Sequence, residues 1–292
     1  MDCDTHKLRT LSLFSGIGGI DIGLKRWCET VCYVELDSYG QAVLCKNMAA
    51  GYLDIAPIWD DITTFGADEL AAIGPIDAIT AGFPCTDISC AGKGAGITGE
   101  QSGLFFEIIR LIRLARPRII FLENVPAVLG RGMGEVLREL AESGDYDIKW
   151  RLLSAAEVGA PHKRDRWWCL AYTESGAMRD DSQNERQANR KINSFDNASI
   201  FSGADVADSK CSRQLQPQGG ITEQRRRVGD ICATNRGQGW APEPGVVRMV
   251  HGVPDRSHRL RCLGNAVVPQ VAQFIGEMIV AVEARAPQKE RV

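Results

Sequence analysis

The first 172 residues alternate between short apolar runs and longer stretches in which apolar residues recur every three or four positions. The short runs are typical of buried strands, and the longer stretches have the period of helices. The pattern predicts strands at 9–14, 31–34, 76–81, 118–122 and 147–153, and helices at 19–27, 38–48, 104–115 and 134–142. This alternation of strand and helix predicts an α/β fold.

The pattern changes between residue 173 and about residue 240. Serine, asparagine, glutamine, glycine and arginine dominate there, and the apolar residues stand singly without a helical or strand period. Such a composition predicts a loop-rich lobe or a partly disordered insert. An apolar-rich stretch at 269–284 then predicts a final helix, which we expect to pack beside the first strand and helix.

Composition narrows the class of protein. The chain has 292 residues, of which 44% are hydrophobic, enough to bury a sizeable core. The first residues are polar and charged, without an apolar run suited to a signal peptide or a membrane span, so a cytoplasmic location is expected. The ten cysteines are scattered singly, without the paired spacing of a metal site or a disulfide framework. We therefore expect reduced cysteines and no metal.

The net charge of −3 is unevenly distributed along the chain. Residues 1–169 carry 17 basic and 23 acidic side chains, whereas residues 170–262 carry 14 basic and 11 acidic ones. The basic excess includes a run at 225–227 and the arginines Arg256, Arg259 and Arg261. These clusters are candidates for contact with phosphate groups, although so small an excess is also compatible with a solvated loop.

A glycine-rich turn follows the first predicted strand and precedes the first predicted helix. Its glycines leave room for a ligand to approach the backbone, and the second strand ends in Glu35, an acid suitably placed for ribose hydroxyls. This arrangement predicts a nucleotide site. NAD is one candidate ligand, but the glycine spacing differs from the dinucleotide pattern G-x-G-x-x-G.

Two further strands end in side chains that carry chemistry. The strand at 76–81 leads through Gly82 and Pro84 to Cys85, and the strand at 118–122 leads to Glu123. Reacting groups in α/β proteins lie at the carboxyl ends of strands, so we expect the thiol and the carboxylate at one edge of the sheet. The glycine-rich loop at 90–99 is expected to act as a lid there. An isolated cysteine is equally compatible with a structural role, and Cys85 gains weight from the motifs around it.

Five motifs occur in an order that resembles the bacterial and phage cytosine-5 DNA methyltransferases of the Dcm-like type. They are LFSGIGG at 13–19, GFPCTDIS at 82–89, ENV at 123–125, HKRDR at 162–166 and GNAVVP at 264–269. The resemblance covers residues 11 to 170 and about 240 to 280. It implies a Rossmann-like, S-adenosylmethionine-dependent methyltransferase fold of the α/β class with a small loop-rich target-recognition lobe. Residues 1–172 would form the first part of a catalytic domain, 173–240 the target-recognition lobe, and 241–292 a return segment completing the catalytic domain.

The resemblance implies that the cofactor is S-adenosyl-L-methionine, bound mainly at strand ends. The implied cofactor-binding residues are Phe14, Ser15, Gly16, Ile17, Gly18, Gly19, Glu35, Leu36, Asp61, Ile62, Pro84, Leu104, Asn265 and Val267. In this assignment Glu35 binds the ribose, while Asp61 and Ile62 lie beside the adenine. Asp60 is adjacent and is an alternative for the adenine contact.

The resemblance also implies catalytic roles for Cys85, Glu123, Arg164 and Arg166. Cys85 would add as a thiolate to carbon-6 of a flipped cytosine, because carbon-5 alone is too weak a nucleophile to take a methyl group. Glu123 would donate a proton to ring nitrogen 3, and Arg166 would hold the neighbouring carbonyl. Arg164 would help to order the active site.

The implied partner is double-stranded DNA, with no membrane involved and a cognate restriction endonuclease acting separately, and a monomer is expected. Two alternatives stay open, a tRNA cytosine-5 methyltransferase of the same fold and a catalytically inactive nucleic-acid-binding homologue. The separate lobe favours DNA, and the set of Cys85, Glu123 and Arg166 favours an active enzyme. Thr86 and His162 stand where many family members have glutamine, which leaves open how the flipped nucleotide is placed.

Overall fold

The computed structural model describes residues 7–84, 104–173, 192–194 and 255–283. These residues form one eight-stranded sheet with the strand order β3-β2-β1-β4-β5-β7-β6-β8. The strands are β1 (Leu8–Leu13), β2 (Cys28–Val34), β3 (Ile58–Trp59), β4 (Ala78–Gly82), β5 (Ile119–Asn124), β6 (Asp147–Ser154), β7 (Asp165–Tyr172) and β8 (Ile192–Ser194). Every predicted strand is present. Strand β2 begins earlier than predicted, and β5 continues through Glu123 to Asn124.

The described helices lie between the strands and at the end of the chain. They are α1 (Gly19–Leu24), α2 (Ser38–Ala49), α3 (Ala67–Ile73), α4 (Phe105–Ala115), α5 (Val128–Arg131), α6 (Met133–Ser143), α7 (Arg256–Asn265) and α8 (Pro269–Glu283), with 3₁₀ turns at Ile62–Thr64 and Ala155–Val158. Helix α1 ends before the predicted boundary, and the hydrophobic pattern does not predict α3, α5 or α7. Among the described residues, no helix has both the length and the apolar character that crossing a membrane requires.

The directions of the strands bring several strand ends to one edge of the sheet. Strands β1 to β5 run parallel to one another, so that Leu13 at the end of β1 lies opposite both Val34 and Ala81. Strand β7 is inserted antiparallel between β5 and β6. Because β7 runs opposite to β5 and β6, it begins where they end, and its first residues reach the same edge.

Both faces of the sheet are covered, which explains the uninterrupted apolar runs in the sequence. In β5, Ile120 and Leu122 belong to one cluster of buried residues, whereas Ile119 and Phe121 belong to another. Alternate residues of a strand point to opposite faces, so the two clusters lie on the two sides of the sheet. Helices α4 and α6 contribute to the first cluster, and α1 and α8 contribute to the second. The α/β prediction is confirmed.

The predicted return of the last helix to the first strand and helix is also confirmed. Helix α8 packs along α1 so closely that a Cβ on Gly23 would lie 2.3 Å from the backbone oxygen of Pro269. The segment between α7 and α8 therefore comes to lie beside the glycine-rich turn. The predicted lid lies outside the described residues, as does the predicted lobe apart from Thr173 and β8.

Candidate active site

The turn between β1 and α1 exposes part of its backbone. Phe14, Gly16 and Gly18 have positive φ angles of 52°, 57° and 82°. The N–H of Ser15 donates to the backbone oxygen of Val34 at 3.1 Å, which ties the turn to the end of β2. No atom of the described residues lies within 4 Å of the position that a Cβ on Gly16 would occupy, so this part of the turn is open toward them. The turn can therefore receive a ligand close to its backbone.

Glu35 lies directly beside this turn. Its Oε2 accepts a hydrogen bond from the N–H of Gly16 at 2.6 Å, and its Oε1 accepts one from the N–H of Asp37 at 2.8 Å. Burial raises the pKa of Glu35, while these two donors and the positive charge of Arg261 oppose the rise. Leu36, the next residue, exposes 72% of its surface. A part-buried carboxylate next to an exposed apolar side chain suits the polar and apolar parts of a nucleoside.

Asp61 and Ile62 lie at the end of β3, but their side chains differ in accessibility. The carboxylate of Asp61 accepts hydrogen bonds from the N–H and the hydroxyl of Thr63 at 2.9 and 2.8 Å, and these hold the pKa of Asp61 below its usual range. The side chain of Ile62 is only 4% exposed and belongs to the core. Asp60 is exposed, and its Oδ1 accepts from the N–H of Asp61. Asp61 thus stays available at the strand end, whereas the side chain of Ile62 faces inward.

The return segment covers another side of the turn. The backbone oxygen of Val267 lies so close to α1 that a Cβ on Gly19 would be 2.6 Å from it. Asn265 is the last residue of α7 and is exposed. Pro84 and Leu104, two other predicted cofactor contacts, are partly buried. The structure therefore brings the turn, Glu35 and Val267 together.

Strand β4 leads toward the predicted nucleophile. The backbone oxygen of Phe83 accepts a hydrogen bond from Nδ2 of Asn124 at 3.4 Å, which ties the exit of β4 to the end of β5. A Cβ on Gly82 would lie 3.2 Å from Oε2 of Glu123, so the exit of β4 runs directly past that carboxylate. Cys85 itself lies outside the described residues, as does the glycine-rich loop that follows it.

Glu123 and Arg166 form an ion pair at this edge of the sheet. Nε of Arg166 lies 2.9 Å from Oε1 of Glu123, and the two side chains expose only 16% and 8% of their surface. Glu123 lies opposite Trp168 in the antiparallel register of β5 and β7. Arg166 is two residues before Trp168, so its side chain is on the same face as that of Glu123. The sequence predicts both residues for the site but not their pairing.

Burial dominates the electrostatics of this pair. It raises the pKa of Glu123 to about 7, although the positive charges of Arg166 and Arg164 act in the opposite direction. A carboxyl group with a pKa near neutrality is partly protonated at physiological pH and can donate or accept a proton. Glu123 is therefore suited to general acid chemistry.

Arg164 connects the sheet edge with the end of α7. Its Nη2 donates to the backbone oxygens of Leu263 at 3.3 Å and Gly264 at 2.7 Å, and also to that of Ala266. Carbonyl oxygens at the end of a helix have no partner within the helix, and an arginine from elsewhere can satisfy them. Arg164 therefore fixes the return segment beside the Glu123 pair.

Four residues outside the predicted site hold α7 against the start of α2. Nη2 of Arg261 lies 2.6 Å from Oδ1 of Asp37, and the ring of His258 stacks on that of Tyr39 with centroids 5.5 Å apart. Arg261 is one of three arginines that the sequence makes candidates for phosphate contact, but the structure pairs it with a carboxylate. No local pattern points to this pairing, because the two residues are 224 positions apart.

Similarity to known proteins covers much of the chain. A family model described as C-5 cytosine-specific DNA methylase matches residues 8–236. The Type II methyltransferase M.CviJI of Paramecium bursaria Chlorella virus IL3A is 38% identical over 164 residues, which are 56% of this chain and 42% of that protein. The Type II methyltransferase M.Bsp6I of Bacillus sp. (strain RFL6) is 37% identical over 175 residues, which are 56% of this chain and 52% of that protein. The chain thus spans about half the length of the curated relatives it matches.

A solved structure extends the similarity to the fold. The Dnmt2 methyltransferase of S. pombe has a TM-score of 0.56 at 19% identity, with 94% of this chain and 99% of that chain covered. Similarity at so low an identity concerns the fold alone. It identifies the sheet described above as the α/β, Rossmann-like fold of methyltransferases, as the sequence predicts.

Proposed function

Because the chain belongs to the C-5 cytosine-specific DNA methylase family, we propose that it transfers a methyl group from S-adenosyl-L-methionine to carbon-5 of a cytosine in double-stranded DNA. The observation that carries this proposal is the ion pair between Glu123 and Arg166. The exit of β4, which leads toward Cys85, runs directly past Glu123. A carboxyl group that titrates near neutral pH and an adjacent guanidinium suit the chemistry of a pyrimidine ring. The relatives described above, both named Type II methyltransferases, support the same reaction class.

The residues around the glycine-rich turn fit S-adenosylmethionine. The open space at Gly16 gives access to the backbone, Glu35 offers a carboxylate for ribose hydroxyls, and Leu36 offers an exposed apolar surface for adenine. Asn265 and Val267 would hold the cofactor from the return segment. When bound, S-adenosylmethionine would supply the methyl group that the cytosine receives.

Residues of the chain itself would activate the cytosine. The thiolate of Cys85 would add to carbon-6, and the electrons of the carbon-5 to carbon-6 double bond would move toward ring nitrogen 3, which takes a proton from Glu123. Carbon-5 then has enamine character and becomes the nucleophile. After methylation, carbon-5 loses its proton to solvent, the double bond re-forms as the thiolate leaves carbon-6, and nitrogen 3 returns its proton to Glu123.

Arg166 would position the base in this mechanism. A guanidinium has five N–H donors in one plane, so Arg166 can hold Glu123 through Nε and still donate to the carbonyl oxygen of the cytosine. A base stacked inside a duplex cannot enter a site at the edge of a sheet. The cytosine must therefore be flipped out, at a cost of a few kcal/mol that contacts in the pocket offset.

The reaction is tested by incubating the protein with labelled S-adenosylmethionine and unmethylated genomic DNA, and in parallel with tRNA. We expect 5-methylcytosine in the DNA, identified by mass spectrometry of the released nucleosides. Methylation of tRNA but not of DNA would favour the tRNA methyltransferase alternative. DNA binding without methylation of either substrate would favour an inactive homologue.

Sequence specificity is proposed to reside in residues 173–240, because side chains at the strand ends are engaged with the flipped base and the cofactor. Exchanging this segment for the corresponding segment of another family member should change which sequence is methylated while the product stays 5-methylcytosine. Bisulfite sequencing of DNA treated with the chimera measures both. An active chimera that still methylates the original sequence would place recognition elsewhere, in the predicted lid or after residue 240.

A further inference from the structure

Helix α7 has no buried residue, so a hydrophobic face does not hold it in place. Polar and aromatic contacts join it to other described elements. Arg164 donates to the backbone oxygen of Gly264 at its C-terminal end, and Arg261 pairs with Asp37. The ring of His258 adds a stacking contact with α2. The position of α7 therefore depends on a few specific side chains.

Asp37 links α7 with the proposed ribose acid. It is the N-cap residue of α2, but its side chain accepts no capping hydrogen bond from that helix. Aspartate at an N-cap usually accepts from the first helical turn. Here Oδ1 accepts from Arg261 at 2.6 Å instead, while the N–H of Asp37 donates to Oε1 of Glu35 at 2.8 Å. A single residue thus contacts both α7 and Glu35.

The guanidinium of Arg261 is held on a second side as well. It lies 3.2 Å from Nδ1 of His258, and since arginine can only donate, Nδ1 is the acceptor. This contact fixes the orientation of the ring that stacks on Tyr39. The positive charge of Arg261 also counteracts the rise that burial causes in the pKa of Glu35, and so favours its charged form.

We propose that α7 stabilises the cofactor side of the site, and that Arg261 is a positioning residue that acts through Asp37 on Glu35. The inference rests on the proposed function, since it assumes that Glu35 binds the ribose of S-adenosylmethionine. In this proposal Arg261 acts without contacting the cofactor itself. It holds the start of α2, so that the N–H groups of Gly16 and Asp37 keep both oxygens of Glu35 in place.

The test is calorimetry of S-adenosylmethionine binding to the full-length protein and its variants. We expect Arg261→Ala to raise the dissociation constant about fivefold, the upper range for a part-exposed ion pair; the side chains of Arg261 and Asp37 are 55% and 29% exposed. Arg261→Lys keeps the charge and should recover most of the affinity. Arg259→Ala is the matched control, because Arg259 is exposed on the same helix and has no carboxylate partner among the described residues. Its dissociation constant should stay within about twofold of the parent value.

A double-mutant cycle separates positioning from a general loss of stability. Asp37→Ala should weaken cofactor binding by the same factor as Arg261→Ala, and the double variant should be no weaker than either single variant. The KM for cofactor should rise in each, while kcat at saturating cofactor stays near the parent value.

Three outcomes would overturn the inference while leaving the proposed function intact. The first is an Arg261→Ala variant that binds S-adenosylmethionine as tightly as the parent. The second is additive effects of the two substitutions on cofactor binding, and the third is a fall in kcat without a change in KM, since Arg261 would then not act through Asp37 on the cofactor. Failure of the parent protein to bind S-adenosylmethionine would overturn the proposed function and the inference together.

Discussion

Replacing Cys85 by serine is expected to lower the rate of methyl transfer by on the order of 10⁴-fold or more, the size of effect seen when a catalytic nucleophile is removed. The serine hydroxyl is similar in size to the thiol but is hardly ionised near neutral pH. Affinity for S-adenosylmethionine should change little, because Cys85 is proposed to react with the cytosine and not to hold the nucleoside. Single-turnover methylation of DNA measures the rate, and calorimetry measures cofactor binding.

DNA that contains 5-fluorocytosine gives a second measurement on the same variant. Fluorine on carbon-5 does not leave as the proton does, so the final elimination is blocked and the bond to Cys85 persists. The parent protein should form a complex that survives denaturing electrophoresis, and Cys85→Ser should form none. Cys45→Ser is the matched control, because Cys45 is an exposed free cysteine on α2, and this variant should behave as the parent. Methylation by Cys85→Ser at the parent rate would contradict the covalent mechanism.

Replacing Glu123 by glutamine is expected to lower kcat by about 10²- to 10⁴-fold, the usual contribution of a general acid. Glutamine has a similar shape and can donate a hydrogen bond to ring nitrogen 3, but it cannot transfer a proton. In the parent, kcat/KM should fall as the pH rises above about 7, because burial raises the pKa of Glu123 to about 7 and the protonated form is the donor. Rates measured across this pH range should show no such fall in kcat/KM for Glu123→Gln.

The same pKa shift predicts a pH dependence of stability. The pKa of Glu123 is raised from 4.5 to about 7, so the folded protein binds more protons than the unfolded chain between these values. The contribution of Glu123 to the free energy of unfolding should be fully present below 4.5 and lost as the pH rises through about 7. Denaturant titrations of the parent and Glu123→Gln measure this difference.

Glu139 provides the matched control for Glu123. It is 8% exposed and lies on α6, where its Oε2 is 3.0 Å from Nη2 of Arg113. Glu139→Gln therefore removes another buried, arginine-paired carboxylate, and should affect stability while leaving the pH profile of kcat/KM as in the parent. If Glu123→Gln kept the parent rate and profile, the assignment of Glu123 as the proton donor would be wrong.

Local sequence was sufficient for five of the eight described strands, β1, β2, β4, β5 and β6, and for the side chains that follow β1, β2, β4 and β5. A strand buried on both faces needs an uninterrupted apolar run, and such runs locate β1, β2, β4 and β5 to within a few residues. The glycine-rich turn, Glu35 and Glu123 stand at or directly after the ends of these runs. Their placement at one sheet edge follows from the parallel direction of the strands, which the alternation with helices already predicts.

Only the tertiary structure decided which of these side chains meet. Arg166 reaches Glu123 because β7 inserts between β5 and β6, and strand periodicity does not specify a neighbour. Arg164 contacts Gly264, 100 positions away, and Arg261 contacts Asp37, 224 positions away, because α8 returns to α1. Such pairings depend on the packing free energy of the whole fold, so a local window of sequence does not show that Arg261 has a carboxylate partner. The same packing buries Glu123, and this burial, which no local pattern reports, raises its pKa to about 7.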